Sequence, residues 1–381
     1  MTDTVSEARP GTPSSRQVRR ELEAILALPV QVEDLGPVRR LRLGSPTWER
    51  HTTELSLVGA GHVGRGEDVT WIADHHDGLA GRLHAVRAQL REASTIGDLE
   101  ELVPTLGLTS GEAAETGMTR YAWWGILSAA LDLGLRQQQM SLADLLGRPI
   151  EPLTWVVSMS LGTPPDTGRV LAWARQVPGL GFKLDASDAW TDGVCAELAA
   201  GSAVRVIDLK AWYPFEEVRQ DPDPALYERL ARHFPEAIME DPGGDDDVLS
   251  ALGDGRSRVA YDQPLHEPAD LDRMPLDSGA VNVKPSRMGT FSSLLGMVAL
   301  AADRGIPVYS GGQSELGIGR TQAQAIAAAW CPHAPNDISP AIFHTATPGD
   351  EVPTPPLELP SETGFGWQED LPGGVIELPA G

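Results

Sequence analysis

The spacing of apolar and polar positions changes character twice along this chain. Over residues 35–72, apolar and β-branched residues alternate or cluster around glycine turns, which predicts strands. From residue 77 to 147 the period lengthens. Residues 79–93 are amphipathic, and 121–147 form a long, mostly apolar pattern that stops at Gly147 with Pro149 beyond, so helices are predicted. Strands followed by helices make this first part α+β. Near residue 153 the pattern shifts again. Short apolar runs at 154–162, 181–187, 204–212, 237–243, 258–265, 280–289, 306–314 and 338–343 alternate with helical stretches such as 223–234, 291–305 and 320–331. Eight strand–helix units in roughly 190 residues predict an α/β fold, a compact (β/α)8 TIM-type barrel. An open doubly wound sheet is the alternative, but no Gly-x-Gly-x-x-Gly follows an early strand. The expected division is a loose polar tail over 1–14, an α+β domain over 15–152, the barrel over 153–345, and a Pro-, Gly- and Glu-rich segment over 346–381 that returns to the first domain.

Composition narrows the partners. The net charge of −24 argues against nucleic acid, whose phosphates need a basic face, and against an anionic membrane surface. Hydrophobic residues make up 41% of the chain, enough for a large core. Cys195 and Cys331 are the only cysteines, so no disulfide framework is expected and a reducing cytoplasm fits. There is no basic-then-apolar leader and no run of 18 apolar residues, so a soluble cytoplasmic protein is expected. The basic residues are unusual: only Lys183, Lys210 and Lys284 are lysine among 30 lysines and arginines. Arginine cannot give up its proton in a protein, whereas a buried lysine can act as acid or base. All three lysines lie in or at the end of predicted strands.

Charged residues also punctuate the strand ends, where barrels place their catalytic groups. Asp208 ends the third run, Glu240 the fourth, Asp262 the fifth and Lys284 the sixth, at spacings of 32, 22 and 22 residues. Three carboxylates converging on one rim would repel one another, and a divalent cation relieves that; an all-oxygen set suits Mg²⁺. Lys183 and Asp185 on the second run, and Lys210 on the third, face the same rim. A metal flanked by amines is equipment for removing a proton beside a carboxylate. Blander readings exist. Single strand-end acids often cap helices. Lys183 could be a salt bridge to Asp185 or Asp208, and Gly311 and Gly312 a mere turn or a close backbone approach to substrate. Asp245, Asp246 and Asp247 read as a solvated helix start, His62, His75 and His76 lack metal-ligand spacing, and Trp123 and Trp124 read as core.

The ordered set of runs at 55–69, 121–149, 206–212, 238–242, 261–264, 281–289 and 311–319 resembles the enolase superfamily, most nearly its muconate-cycloisomerase and o-succinylbenzoate-synthase branch. The resemblance covers residues from about 35 to the end and implies an α+β capping domain before the barrel, completed by the C-terminal segment. It implies Asp208, Glu240 and Asp262 as Mg²⁺ ligands, Lys284 as an acid/base, and Gly311, Gly312, Gln313 and Glu315 as substrate-facing. It also implies a small carboxylate substrate losing its α-proton through an enediolate, with β-elimination, cycloisomerisation or epimerisation as the outcome, and a homo-oligomer. Specificity would come from cap loops, here around Gly59–Gly66. Two departures stand out. The branch's Lys-x-Lys is Lys183-Leu184-Asp185 here, and the usual asparagine two residues beyond the first ligand is Lys210, so an amine has moved to the neighbouring strand. Like charge near the metal would then favour a free amine. The lost lysine also leaves room for a metal-binding but catalytically silent barrel.

Overall fold

A computed structural model describes residues 13–45 and 48–378 of the protein. Of the tail expected over 1–14, residues 1–12 lie outside these; the Ser14 hydroxyl already accepts from the Gln17 amide at the start of the helix Ser15–Leu26.

Four strands then build an antiparallel sheet: β1 (Asp34–Leu35), β2 (Arg39–Ser45), β3 (Trp48–Gly59) and β4 (His62–Asp68). β3 pairs with each of the others, with Arg39 opposite Glu54 in β2 and Thr53 opposite Asp68 in β4. The helix Thr119–Gln137 packs on this sheet and buries almost every residue from Tyr121 to Leu135. Gly64 and Gly66 permit that contact. A Cβ there would sit 2.2 Å from the Ala129 carbonyl oxygen and 2.1 Å from that of Gly125. The expectation that Gly59–Gly66 shapes specificity is therefore corrected: this hairpin is spent on helix packing.

Seven parallel strands follow: β5 (Val156–Ser160), β6 (Gly181–Asp185), β7 (Ala203–Asp208), β8 (Ile238–Glu240), β9 (Val259–Tyr261), β10 (Ala280–Val283) and β11 (Val308–Ser310). They pair in chain order into one sheet. Its two edges meet at the same pair of residues. The Val156 amide donates to the Asn336 carbonyl, the Asp337 amide to the Ser310 carbonyl, and the Gly312 amide to the Asp337 carbonyl. The Asn336 side chain adds to the junction, accepting from the Ser310 amide and donating to the Thr154 carbonyl. The eighth predicted run, 338–343, is not a strand. It leads into a 3-10 turn, Ala341–His344, whose Phe343 packs on Trp155 and Trp173. Inside the sheet, Val206, Ala260, Ala280 and Tyr309 form a small apolar floor separate from the main core. β12 (Val375–Leu378) returns to pair antiparallel with β2.

Two buried charges join the antiparallel sheet to the rim of the parallel sheet. Arg50 donates to the carbonyls of His51, Val69, Thr70 and Gln313. Glu67 accepts from the amides of Leu316, Gly317 and Gly319, which supplies the start of the helix Ile318–Trp330 with an anion for its unpaired N–H groups.

Beside Arg50, His76 is buried and satisfied as a neutral ring, Nδ1 facing the Thr53 hydroxyl and Nε2 the Thr70 carbonyl, each at 2.9 Å. Burial is the main cause that lowers it from 6.5 to about 4; Asp68 opposes this, and Arg50 and His75 add to it. A depressed histidine contributes stability above its unfolded value that is lost as pH falls, here from 6.5 towards 4, and that amounts to up to about 3 kcal/mol. Glu67, pushed up to about 6 by burial, acts in the opposite direction between its own ordinary value and 6. The comparison of His76→Gln with the parent in acid-dependent thermal unfolding isolates the histidine. The variant should lose less stability between pH 6.5 and 4; parallel curves would contradict this account.

Candidate active site

The polar face of the parallel sheet opens into a cavity of about 420 Å³ between the strand ends and the antiparallel domain. Lys183, Lys210 and Lys284, which are every lysine in the chain, line it. They arrive on β6, just after β7 and just after β10. Asp185, Asp208 and Glu240 stand directly across from one another in the β6–β7–β8 register. Asp262 and Lys284 each follow their own strand by one residue.

Each amine is held by acids. Lys183 Nζ donates to Glu240 Oε1 and lies 3.1 Å from Asp337 and 3.5 Å from Asp208. Lys210 Nζ is 2.8 Å from Asp208 Oδ2 and 3.1 Å from Asp185 Oδ1, with the Tyr213 ring beneath it at 4.7 Å. Lys210 takes a positive φ of 52°, which turns its side chain back over Asp208. Lys284 Nζ is 3.0 Å from Asp262 Oδ2 and 3.9 Å from Asp337. Gly311 leaves room for it, since a Cβ there would meet Lys284 Cε at 2.7 Å.

Electrostatics follow from burial and pairing. For Lys183, burial alone would lower the amine, but Glu240, Asp337 and Asp208 outweigh it and hold the amine well above its ordinary value. Burial likewise opposes Lys210's charge, and Asp185 and Asp208 overcome it. The acids around these two amines thus favour their charged form, opposite in sign to the effect expected from a nearby divalent cation. Asp185 pairs with Lys210 rather than Lys183, and of the two acids expected to bridge Lys183, Asp208 lies close enough to do so. Asp208 is held down to about 2 because Lys210 and Lys183 overcome the penalty of burial. Glu240, pushed up by burial and by Asp262 and Asp208, rises to about 7 despite Lys183; Asn282 and Tyr309 donate to its other oxygen.

Among the described residues, the carboxylates whose oxygens lie within 4.8 Å of one another are Asp208, Glu240 and Asp241. Asp262 stands apart from that set because Arg287 holds its Oδ1. Its buried Oδ2 faces the Lys284 ammonium at 3.0 Å. Asp241 is already committed: its two oxygens accept the amides of Asp262 at 2.8 Å and Gln263 at 2.9 Å. The acids Asp185, Asp208, Glu240, Asp241, Asp262 and Asp337 exceed the cations Lys183, Lys210, Lys284 and Arg287 by two. A buried, all-oxygen, net-acidic site fits a hard divalent cation.

Gly312 and Gln313 line the cavity. Gly311 lies beneath Lys284, and Glu315 turns inward to accept the Gln313 amide at 2.7 Å. Sequence reasoning missed Asp337, Arg287 and Asp241. Only the last left a signal, as the second acid of a Glu-Asp-Pro turn.

The arrangement has relatives. An o-succinylbenzoate synthase from Listeria innocua is 24% identical over 296 residues, which is 71% of this chain and 76% of that protein. A mandelate racemase/muconate lactonizing protein from Herpetosiphon aurantiacus superposes with a TM-score of 0.65 at 18% identity, covering 90% of this chain and all of that one (100%). An L-Ala-D/L-Glu epimerase superposes with a TM-score of 0.61 at 19% identity, covering 89% of this chain and 100% of its own. These likenesses establish the enolase-superfamily fold. Residues 23–145 and 149–345 match, in order, the N-terminal and C-terminal domains of the domain of unknown function DUF8230, and the chain therefore belongs to that family.

Proposed function

We propose that this protein is a Mg²⁺-dependent enzyme that removes the proton α to the carboxylate of a small acid. The observation that carries the reading is the convergence of the chain's entire stock of lysine on one cavity, beside the acids that end its strands. Asp208, Glu240 and Asp262 would hold the cation, Asp262 through the Oδ2 that faces Lys284. Asp241 fixes the backbone that presents Asp262. A bound divalent ion supplies positive charge to offset the negative charge that develops on a substrate carboxylate. In this reading 15–152 is a cap, 153–345 a (β/α)8-type catalytic domain and 346–381 the segment completing the cap.

Lys284 is the group that takes the proton, at Nζ. It enters from the β10 side with its stem packed over Gly311. Lys183 and Lys210 enter from the β6–β7 side and present N–H groups across the cavity. A base on one side with donors on the other serves elimination, cycloisomerisation or epimerisation, according to what the substrate carries at its β-carbon. Asp185 holds Lys210 in the place that the second-strand amine of the related branch would serve.

Two outcomes test these roles. With Mg²⁺ in D₂O, the enzyme should exchange the α-proton of some member of a carboxylate library. Lys284→Ala should reduce that exchange by at least ~100-fold, the scale of a lost general base. Unchanged exchange in the variant would remove Lys284 from the role, and no exchange across a broad library would favour a silent barrel. Gly311→Ala should fold, because the atoms its methyl would meet first belong to side chains, the Lys284 stem at 2.7 Å and the Asn282 amide at 3.3 and 3.4 Å. It should still lose about 100-fold in exchange rate, as misplacement of a catalytic group by about 1 Å does. Full activity in Gly311→Ala would show that Lys284 does not need the path the glycine leaves open.

A further inference from the structure

The far end of the cavity has a different character from its charged floor. Met118 and Tyr121, from the antiparallel domain, pack with Val69 and with Phe215 from the loop after β7 into a small apolar cluster of their own. At the mouth stand Trp71, 38% exposed, and Val218, 36% exposed. Large apolar side chains left open to water at a cavity mouth gain free energy when a ligand covers them.

Between this apolar wall and the lysines sits Gln313, which is buried yet lines the cavity. The indole Nε1 of Trp71 can only donate, and it donates to Gln313 Oε1 at 2.8 Å, which fixes the amide's orientation. Gln313 Nε2 has no hydrogen-bond partner. An unpaired buried donor costs free energy until a ligand acceptor meets it.

Among the described residues, the wall offers no free cation at this end. Arg320 also lines the cavity, but its Nε donates to the Glu315 carbonyl at 3.1 Å, its Nη1 to the Ser339 carbonyl at 2.8 Å, and its Nη2 contacts His344. A second carboxylate on the substrate would thus enter an apolar wall with the neutral Gln313 amide as its donor and no cation to pair with, and burying such a charge is costly.

Resting on the proposed site, the geometry points to a substrate that is a monocarboxylate carrying an apolar, aryl-sized limb, with a neutral hydrogen-bond acceptor between the two. The carboxylate lies towards the lysines, the acceptor meets Gln313 Nε2, and the limb covers Trp71, Met118, Phe215 and Val218. Dicarboxylic acids are disfavoured.

Calorimetry of the full chain in Mg²⁺ buffer with 5-oxo-5-phenylpentanoate, 5-phenylpentanoate and heptanedioate tests this directly. Both phenyl acids should bind at least ~10-fold more tightly than heptanedioate, the scale of burying one ring, and the oxo acid more tightly than its deoxy partner. Val218→Asp, a change at the exposed mouth, should weaken both phenyl acids by about 10-fold, comparable to losing part of a buried apolar contact. Gln313→Leu should abolish the preference for the oxo acid. Heptanedioate binding as tightly as the phenyl acids, or none of the three binding, overturns the inference. Parallel α-exchange in D₂O separates the two claims. Binding in the expected order without exchange of any acid refutes the proposed reaction but not the substrate class. Exchange confined to dicarboxylates refutes the class but not the reaction.

Discussion

Lys183 is the keystone of the parallel sheet's polar face. Its ammonium reaches Glu240, Asp337 and Asp208, acids carried by β8, by the bridging pair and by β7. Without a cation there, three carboxylates from different elements, two of them fully buried, would face one another in a medium that screens poorly, and at least one would have to take up a proton. The other cations repeat the solution. Lys210 serves Asp208 and Asp185, and Arg287 and Lys284 serve Asp262. The lattice is almost but not wholly balanced, and the remaining negative charge makes the site receptive to a metal.

The second dependence is mechanical. The cavity exists because the antiparallel domain is held over the rim, and two buried charges hold it. Arg50 binds its own domain's carbonyls and that of Gln313, while Glu67 binds the amides that open the helix Ile318–Trp330. Both act on the same loop, the one that carries Gly312 and Gln313 into the cavity. Arg50 also stacks under Trp71 at 4.1 Å, so the element that docks the domain supports the cavity's mouth. The contacts of Arg50 with Gln313 and of Glu67 with the helix start join parts of the chain 263 and 250 residues apart.

That distance explains what the sequence could and could not reveal. Asp208, Glu240, Asp262 and Lys284 were legible because a strand end recurs at regular spacing and an acid in that place is conspicuous. The lysines were legible by scarcity. Asp337 was not, because it belongs to no run: a two-residue bridge finished by the Asn336 side chain does the work of a strand, and periodicity cannot see a ladder completed by a side chain. The apolar run at 338–343 imitated that strand while serving as packing for Trp155 and Trp173. Arg287, in a short turn after Pro285, reads as a surface residue until the turn folds it onto Asp262. Trp71 and Met118 gave no hint, since their part in the cavity depends on how the two sheets meet.

A crystal structure grown with Mn²⁺ in place of Mg²⁺, phased on the metal's anomalous scattering, tests the central claim most directly. The account predicts one strong peak bounded by Asp208, Glu240 and Oδ2 of Asp262, within reach of the cavity that Lys284 lines. A peak elsewhere, or a rim whose carboxylates remain bound only to Lys183, Lys210 and Arg287 at saturating metal, would contradict it.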